Sequence, residues 1–400
     1  MLIVDEAHNI NNVENDGFKD IFKLAKRAKR VLLLSATPIT NYLNEMVALL
    51  LLMNPKLEQT YLKSTGALQP MSDLENALLS NLTCSISFYR ASQEDIKRDY
   101  PSTIIKQIYI VMGEDDLKKY NRLEGNKQED DPEGKNPFMV NTRQFLDTAD
   151  PKHTYIKKLL NDLLIDSKKQ IVIYSPWAES VYQDTIKPYL EQFKTQHPPF
   201  EFAAIEGSIT PLQRKAAVEN FNKGIVRVLY ISKAGGEGID LKKTTDIVIL
   251  SPHWNESRVM QVMGRGVRYQ SHAELPDDQR VVTIHKLYLI KPADVPYIRM
   301  TFEEMEQARR DKTVLVSNDM YYAKRSLQKQ KVIDDFLTRA ERLSIEQNVC
   351  GVDKCVETPV GDLAIAPRQV IPSDIFELTC TSQDCTVYKP NEPKEVLFIN

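Results

Sequence analysis

Between residues 170 and 290 the chain repeats one pattern: a short apolar run rich in β-branched residues, a polar break, then a stretch with helical spacing. The runs are QIVIYS, FEFAAIEG, RVLYIS, DIVILS and VVTIHKLYLI. They are too short for independent helices and too uniformly apolar for half-exposed strands, so they read as strands buried on both faces. A parallel neighbour needs a crossover long enough for a helix, and strands alternating with helices therefore imply a mostly parallel sheet. The same alternation opens the chain with LIVDE, a helix to about Arg30, VLLLSAT, and a helix from Asn41 to Met53 stopped by Asn54 and Pro55. STIIKQIYIVM, residues 102–112, reads as a further strand of this first unit.

The expected organisation is thus a first α/β unit over residues 1–112 and a second over 151–299. Between them, residues 113–150 are charged and punctuated by Gly and Pro, as in a mobile linker or insertion that is helical at its start. Asp150 and Pro151 form an N-terminal signal for a helix through Leu164. Residues 300–400 form a helical extension, with Val332, Phe336, Ala340 and Leu343 on one face, and then a cysteine-containing tail.

A net charge of −3 excludes a generally cationic surface, so any nucleic-acid contact must come from a local groove. The greasiest run, VALLLLM from Val47 to Met53, is far too short to span a bilayer and is expected as a core helix, leaving no membrane partner. Met1 precedes a strand rather than a signal peptide, and five cysteines, an odd number, fit a reducing compartment, so an intracellular location is expected.

Asp5 and Glu6 stand at the end of the first strand. One carboxylate can hold Mg²⁺ through water while its neighbour orients or deprotonates an attacking water, although such a pair can equally cap a strand end. Ser35 and Thr37, in SATPIT, either bond to the acidic pair or cap the helix after Pro38. SKAGGEGIDL, residues 232–241, puts three glycines after a strand, where backbone must approach a phosphate or another lobe closely. In HWNESRVMQVMGRGVRYQSH, Arg265 and Arg268 lie three apart, as on one helical face, and two guanidiniums there can reach a γ-phosphate; a solvated basic stripe is the alternative. Cys350 with Cys355, and Cys380 with Cys385, form matched pairs whose four thiolates can hold structural Zn²⁺ or remain unconnected thiols. Cys84 reads as a core thiol, and His153, His197 and His253 as loop or helix-end residues.

VDEAH, SATP, IVIYSPW, IEGSITPLQRKAAVENFN, SKAGGEGIDL and WNESRVMQVMGRGVR stand in the order of superfamily 2 helicase motifs II to VI, and the chain resembles the Swi/Snf-type translocases. GRGVRYQSHAELP and SNDMYYAKRSLQKQKVIDDFL are similar to helicases of large DNA viruses related to poxvirus nucleoside triphosphatase I and the early transcription factor ATPase. The resemblance covers about residues 1–345 and implies two RecA-like P-loop NTPase lobes, the first truncated and the second complete. It implies that Asp5 coordinates Mg²⁺, Glu6 activates water, and His8, Ser35 and Thr37 couple hydrolysis to lobe movement. Gly236, Gly238 and Asp240 would lie at the nucleotide site, Gln261 would sense closure, and Arg265 and Arg268 would act as arginine fingers. Ser175, Gly207, Arg214 and Ser232 become candidates for holding nucleic-acid phosphates.

The family's phosphate loop, G-x-x-x-x-G-K-S/T, does not occur in these 400 residues. Without it nucleotide affinity should collapse. The resemblance then implies the C-terminal portion of an ATP- and Mg²⁺-dependent translocase on duplex DNA, serving viral transcription in the host cytoplasm or virion. Its partners would be a viral RNA polymerase and whatever supplies the phosphate-loop half. A nucleotide-incompetent module that binds nucleic acid or polymerase, and one half of a split helicase, are the rival readings.

Overall fold

The computed structural model describes residues 1–88, 98–130, 140–175, 178–232, 238–312 and 316–345, and strand segments at 348–350, 355–357, 385–388 and 397–398. The chain divides into two units: residues 1–92 with 255–258 and 327–373, and residues 93–254 with 259–326 and 374–400.

In the first unit, β1 (Leu2–Val4) and β2 (Val31–Leu33) pair in parallel, Leu2 opposite Val31 and Val4 opposite Leu33. Helix α1 (Asp16–Ala25) crosses between them and buries Phe18 and Phe22, one turn apart and stacked at 5.3 Å. Helix α2 (Glu45–Met53) is apolar all round, and Met46 through Leu52 are buried, as expected of VALLLLM. It starts at Glu45 rather than Asn41 for a local reason. The Glu45 carboxylate accepts from the backbone N–H of Thr40 (2.7 Å) and Asn41 (3.1 Å) and from Asn11 Nδ2 (2.8 Å), holding those residues in a turn. One face of the β1–β2 pair packs on this core through Leu2, Val4, Val31 and Leu33. The other carries Ile3, Leu32 and Leu34, which are 55%, 45% and 44% exposed.

The second unit holds β3 (Ser102–Val111), β4 (Ile171–Ser175), β5 (Glu201–Ile205), β6 (Val226–Ser232), β7 (Asp246–Ile249) and β8 (Val281–Ile290). Their order is β3-β8-β7-β4-β6-β5, all parallel. Two tail segments, β11 (Cys385–Tyr388) and β12 (Leu397–Phe398), extend the β3 edge. Alternate residues serve opposite cores: Ile171 and Ile173 pack on one side of the sheet, Val172 and Tyr174 on the other. All five residues of β4 are buried, which explains the uniformly apolar runs.

Strand β3, assigned above to the first unit, instead pairs with β8 along its whole length, from Ser102 opposite Val281 to Val111 opposite Ile290. Ten matched residues outweigh its position in the chain. The charged stretch after it is more helical than a linker, with α3 (Glu114–Asp130) and α4 (Val140–Thr148). Helix α5 (Asp150–Leu164) begins at the expected Asp-Pro. The helical extension contains a long helix, Asn318–Glu341, in which Ile333, Phe336 and Ala340 are buried, whereas Val332 is half exposed.

Candidate functional site

Asp5 and Glu6 leave the end of β1 with both carboxylates facing solvent, and Glu6 adopts a left-handed backbone conformation (φ 51°). Its N–H donates to Asp5 Oδ1 at 2.9 Å. The chain then turns back and is stitched to β2: Leu34 N donates to Val4 O and Ala7 N to Leu34 O, both at 2.9 Å. That stitch brings His8 beside Ser35. His8 Nδ1 lies 3.1 Å from Ser35 Oγ and 3.3 Å from a Glu6 carboxylate oxygen, so one ring nitrogen is shared between the two motifs. Ser35 Oγ in turn accepts from Thr37 N at 3.1 Å. Thr37 Oγ1 is buried with no hydrogen-bond partner. The sequence-predicted Asp5, Glu6, His8, Ser35 and Thr37 thus form one cluster, with the imidazole as its joint.

In the second unit the connection from β6 to β7 passes over β4, so the direction of strand progression reverses there. In open α/β sheets, ligands bind at the carboxyl ends of strands at such a point. Ser175 and Ser232 end β4 and β6 as register partners, both buried. The Ser175 hydroxyl is hydrogen-bonded to the Tyr230 phenol, whereas Ser232 Oγ has no partner. Gly207 follows β5 on the surface. Arg214 sits on helix α6 (Pro211–Asn222), whose start is fixed by a reciprocal bond pair: Gln213 N to Thr210 Oγ1 (3.3 Å) and Thr210 N to Gln213 Oε1 (3.0 Å). One terminal nitrogen of Arg214 is buried without a partner. Unsatisfied buried donors are rare, and these two are of the kind that anionic oxygens satisfy.

Gly236 lies outside the described residues. Gly238 has φ +68° with open space where a Cβ would stand, so backbone conformation rather than crowding calls for glycine. Buried Ile239 and Leu241 anchor the segment and leave Asp240 on the surface. Helix α7 (Glu256–Gly266) carries Gln261 and Arg265 one turn apart. It ends at Gly266, so Arg268 lies beyond the helix and not on a shared helical face with Arg265. The helix stops where Gly266 meets the β6–β7 connection; a Cβ there would be 3.1 Å from the Thr244 side chain. Two further links tie these segments: Leu241 N donates to Arg265 O (3.1 Å), and Arg268 pairs with Asp240 (3.5 Å). Sequence reading placed Asp240 and Arg268 in the site without foreseeing that they pair.

It also missed Ser271 and His272, directly after the arginines. His272 is buried, with Nδ1 2.8 Å from Ser271 Oγ and Nε2 2.8 Å from Thr244 O. The only sequence signal was a polar Ser-His pair adjoining the motif. A buried charge cluster was missed as well: the Lys152 ammonium lies 3.0 Å from Asp147 and 3.2 Å from Asp319.

The tail gives no metal centre among the described residues, where no group of three or more His, Cys, Asp or Glu is placed to hold an ion. Cys350 and Cys355 are backbone register partners on β9 (Asn348–Cys350) and β10 (Cys355–Glu357); Cys385 opens β11, and Cys380 lies outside the described residues. Cys84, expected as a free core thiol, is disulfide-bonded.

Comparison with known proteins matches the SNF2-related domain to residues 1–171 and the helicase conserved C-terminal domain to residues 152–270. A protein of Acanthamoeba polyphaga mimivirus, named as an ATP-dependent RNA helicase, is 31% identical over 318 residues, covering 73% of this chain and 69% of the relative. Nucleoside triphosphatase I of Heliothis armigera entomopoxvirus is 23% identical over 362 residues, covering 71% of this chain but only 56% of that protein. Among solved structures, the Sulfolobus solfataricus SWI2/SNF2 ATPase core in complex with dsDNA aligns over 85% of this chain and 71% of its own, at 19% identity and a TM-score of 0.38.

Proposed function

Since the chain belongs to the SNF2-type superfamily 2 helicases and translocases, with two RecA-like lobes and relatives among the viral nucleoside triphosphatases, we propose that it is the C-terminal portion of an ATP-dependent duplex-DNA translocase. The observation that carries this reading is the His8 joint, which ties the acidic pair to Ser35. A capping pair needs no such link, whereas a hydrolytic site that signals its state does.

The residues fit Mg²⁺ and ATP. Two exposed carboxylates are too few for an all-protein cage and suit a cation that keeps waters and substrate phosphates as its other ligands. Bound Mg²⁺ and ATP supply an electrophilic γ-phosphate with its charge partly screened. Asp5 would hold the hydrated cation, and Glu6 would orient the attacking water and take its proton. Arg265 and Arg268 would stabilise charge developing on the phosphoryl oxygens. Gln261, Gly238 and Asp240 would belong to the arginine side of the site, and the family resemblance adds Gly236, which lies outside the described residues. Ser35 and Thr37 pass the outcome on through His8. Ser175, Gly207, Arg214 and Ser232 hold the nucleic-acid backbone. A viral RNA polymerase partner and a place in viral transcription belong to the same proposal, whereas Zn²⁺ on all four tail cysteines does not, because the Cys84 disulfide leaves fewer than four free thiols among Cys350, Cys355, Cys380 and Cys385.

A second reading is favoured by one specific observation, the absence of G-x-x-x-x-G-K-S/T from these residues. It is a binding module, or half of a split enzyme, whose phosphate loop comes from elsewhere. The test is DNA- and RNA-stimulated ATPase of this chain, alone and with a phosphate-loop segment joined in frame or added as a second chain. Turnover that appears only with the loop, and that duplex DNA stimulates, supports the proposal. Stimulation by RNA alone would redirect the substrate, and DNA binding without turnover in either format would leave the binding module.

A further inference from the structure

The β6–β7 connection and the arginine segment lie side by side over residues 240–244 and 265–272, and Ser271 and His272 hold the distal end of that contact. Ser271 N donates to Arg268 O (3.1 Å), Arg268 N donates to Ser271 Oγ (3.2 Å), and Lys243 N donates to Ser271 O (3.0 Å). Ser271 Oγ lies 2.8 Å from both Arg268 O and His272 Nδ1, and its single proton can serve only one of them. Counting donors settles the arrangement. Thr244 O has no proton to give, so His272 Nε2 must be the donor across 2.8 Å. Nδ1 of a neutral ring is then an acceptor, and the Ser271 hydroxyl fills it. Arg268 O loses nothing, because Ser271 N already serves it. Every group is satisfied once by the chain Arg268 N–H to Ser271 O–H to His272 Nδ1, with His272 Nε2–H to Thr244 O. Burial lowers the His272 pKa and favours that neutral ring.

We propose that Ser271 and His272 are positioning residues that fix the Arg268 backbone against Thr244, so that the Arg268 guanidinium is presented beside Asp240 instead of sweeping freely. Arg268 lies past the end of its helix and has no helical bonds to hold it, and its side chain is 42% exposed. The relay replaces the missing helical turn. The functional weight of this positioning rests on the reading of Arg268 as a phosphate contact; the positioning itself does not.

The experiment has two arms. In the first, Nε–Hε resonances of this chain give the fast-timescale order of the Arg268 side chain, assigned by its loss in Arg268→Lys. Ser271→Ala and His272→Ala are expected to lower that order to the level of exposed arginines such as Arg30. His272→Asn, which keeps an acceptor where Nδ1 stands, is expected to restore most of it. Unchanged order in Ser271→Ala, with an unchanged Tm, overturns the proposal, and this isosteric deletion keeps the test valid should His272→Ala fail to fold. The second arm measures ATPase with the phosphate loop supplied. Ser271→Ala should lower kcat about tenfold with KM unchanged, the signature of an interaction used in the transition state. If Arg268→Ala leaves ATPase unaltered, the phosphate-contact reading fails while the first arm still decides the positioning. If Arg268→Ala abolishes ATPase and Ser271→Ala does not lower it, positioning has no catalytic role and the inference is overturned.

Discussion

Replacing Lys152 with methionine should be among the most damaging single changes in the second unit. The Lys152 side chain is 0% exposed and is held between Asp147, on the last turn of α4, and Asp319, at the start of the long helix Asn318–Glu341. Burial alone would lower the Lys152 pKa, but Asp319 and Asp147 reverse that and raise it, so the ammonium stays charged. Asp319 also accepts from Leu289 N at 2.8 Å, and Ser251 donates to Asp147. Methionine fills the volume but leaves two carboxylates facing each other in a dry interior. Breaking a buried pair by removing one partner costs about 3–5 kcal/mol. At roughly 2–4 °C per kcal/mol for a domain of this size, Tm should fall by about 6–20 °C. The pH dependence makes the test specific. Burial pushes the Asp319 pKa up in the folded state, a preference for the neutral form that the Lys152 ammonium opposes. With the lysine gone, that preference dominates, and a group whose folded pKa lies above its unfolded value contributes stability at low pH that is lost as pH rises through the folded pKa. Urea melts of Lys152→Met should therefore show a smaller deficit at pH 5 than at pH 8, and adding Asp319→Asn should shrink the deficit at pH 8. An unchanged Tm, or an equal deficit at both pH values, would refute the argument.

Two other outcomes follow from the geometry. Burial lowers the pKa of both His153 and His272, so the unfolded chain takes up protons before the fold does; their stability contribution is complete above about pH 6.5 and is lost as pH falls below it, and His272→Gln should flatten part of that acid limb in thermal melts. The two glycines of GRG should part company. Gly264→Ala meets open space within a helix and should gain roughly 0.5–1 kcal/mol, whereas Gly266→Ala meets the Thr244 side chain at 3.1 Å and should lose about 1–3 kcal/mol by chemical denaturation, partly relieved by Thr244→Ser.

What sequence reading could reach was decided by how local each cause is. The buried strands were legible because a parallel sheet covered on both faces leaves one kind of residue in each run, and β4 shows it most plainly. The side of the chain to which β3 belongs was not legible, because pairing with β8 is a match between residues some 180 positions apart. Arg265 and Arg268 were found by type and spacing, yet the helix end between them depends on Gly266 meeting Thr244, a contact that no spacing rule contains. The helical face was read one residue out: Val332 and Ile333 are equally apolar, and only packing chooses Ile333. His8, Ser35 and the acidic pair were named separately, while their junction follows from the parallel register of β1 and β2.

That register also has a practical side. Ile3 and Leu32 are direct neighbours across the strand pair, and with Leu34 they give the first unit a water-facing greasy stripe. Attraction between such stripes is bimolecular, so sticking grows with the square of concentration while folding does not depend on it at all. A preparation of this chain should therefore scatter more light per molecule as it is concentrated and less when Leu32 is made lysine, a handling property set by three side chains rather than by the stability of the fold.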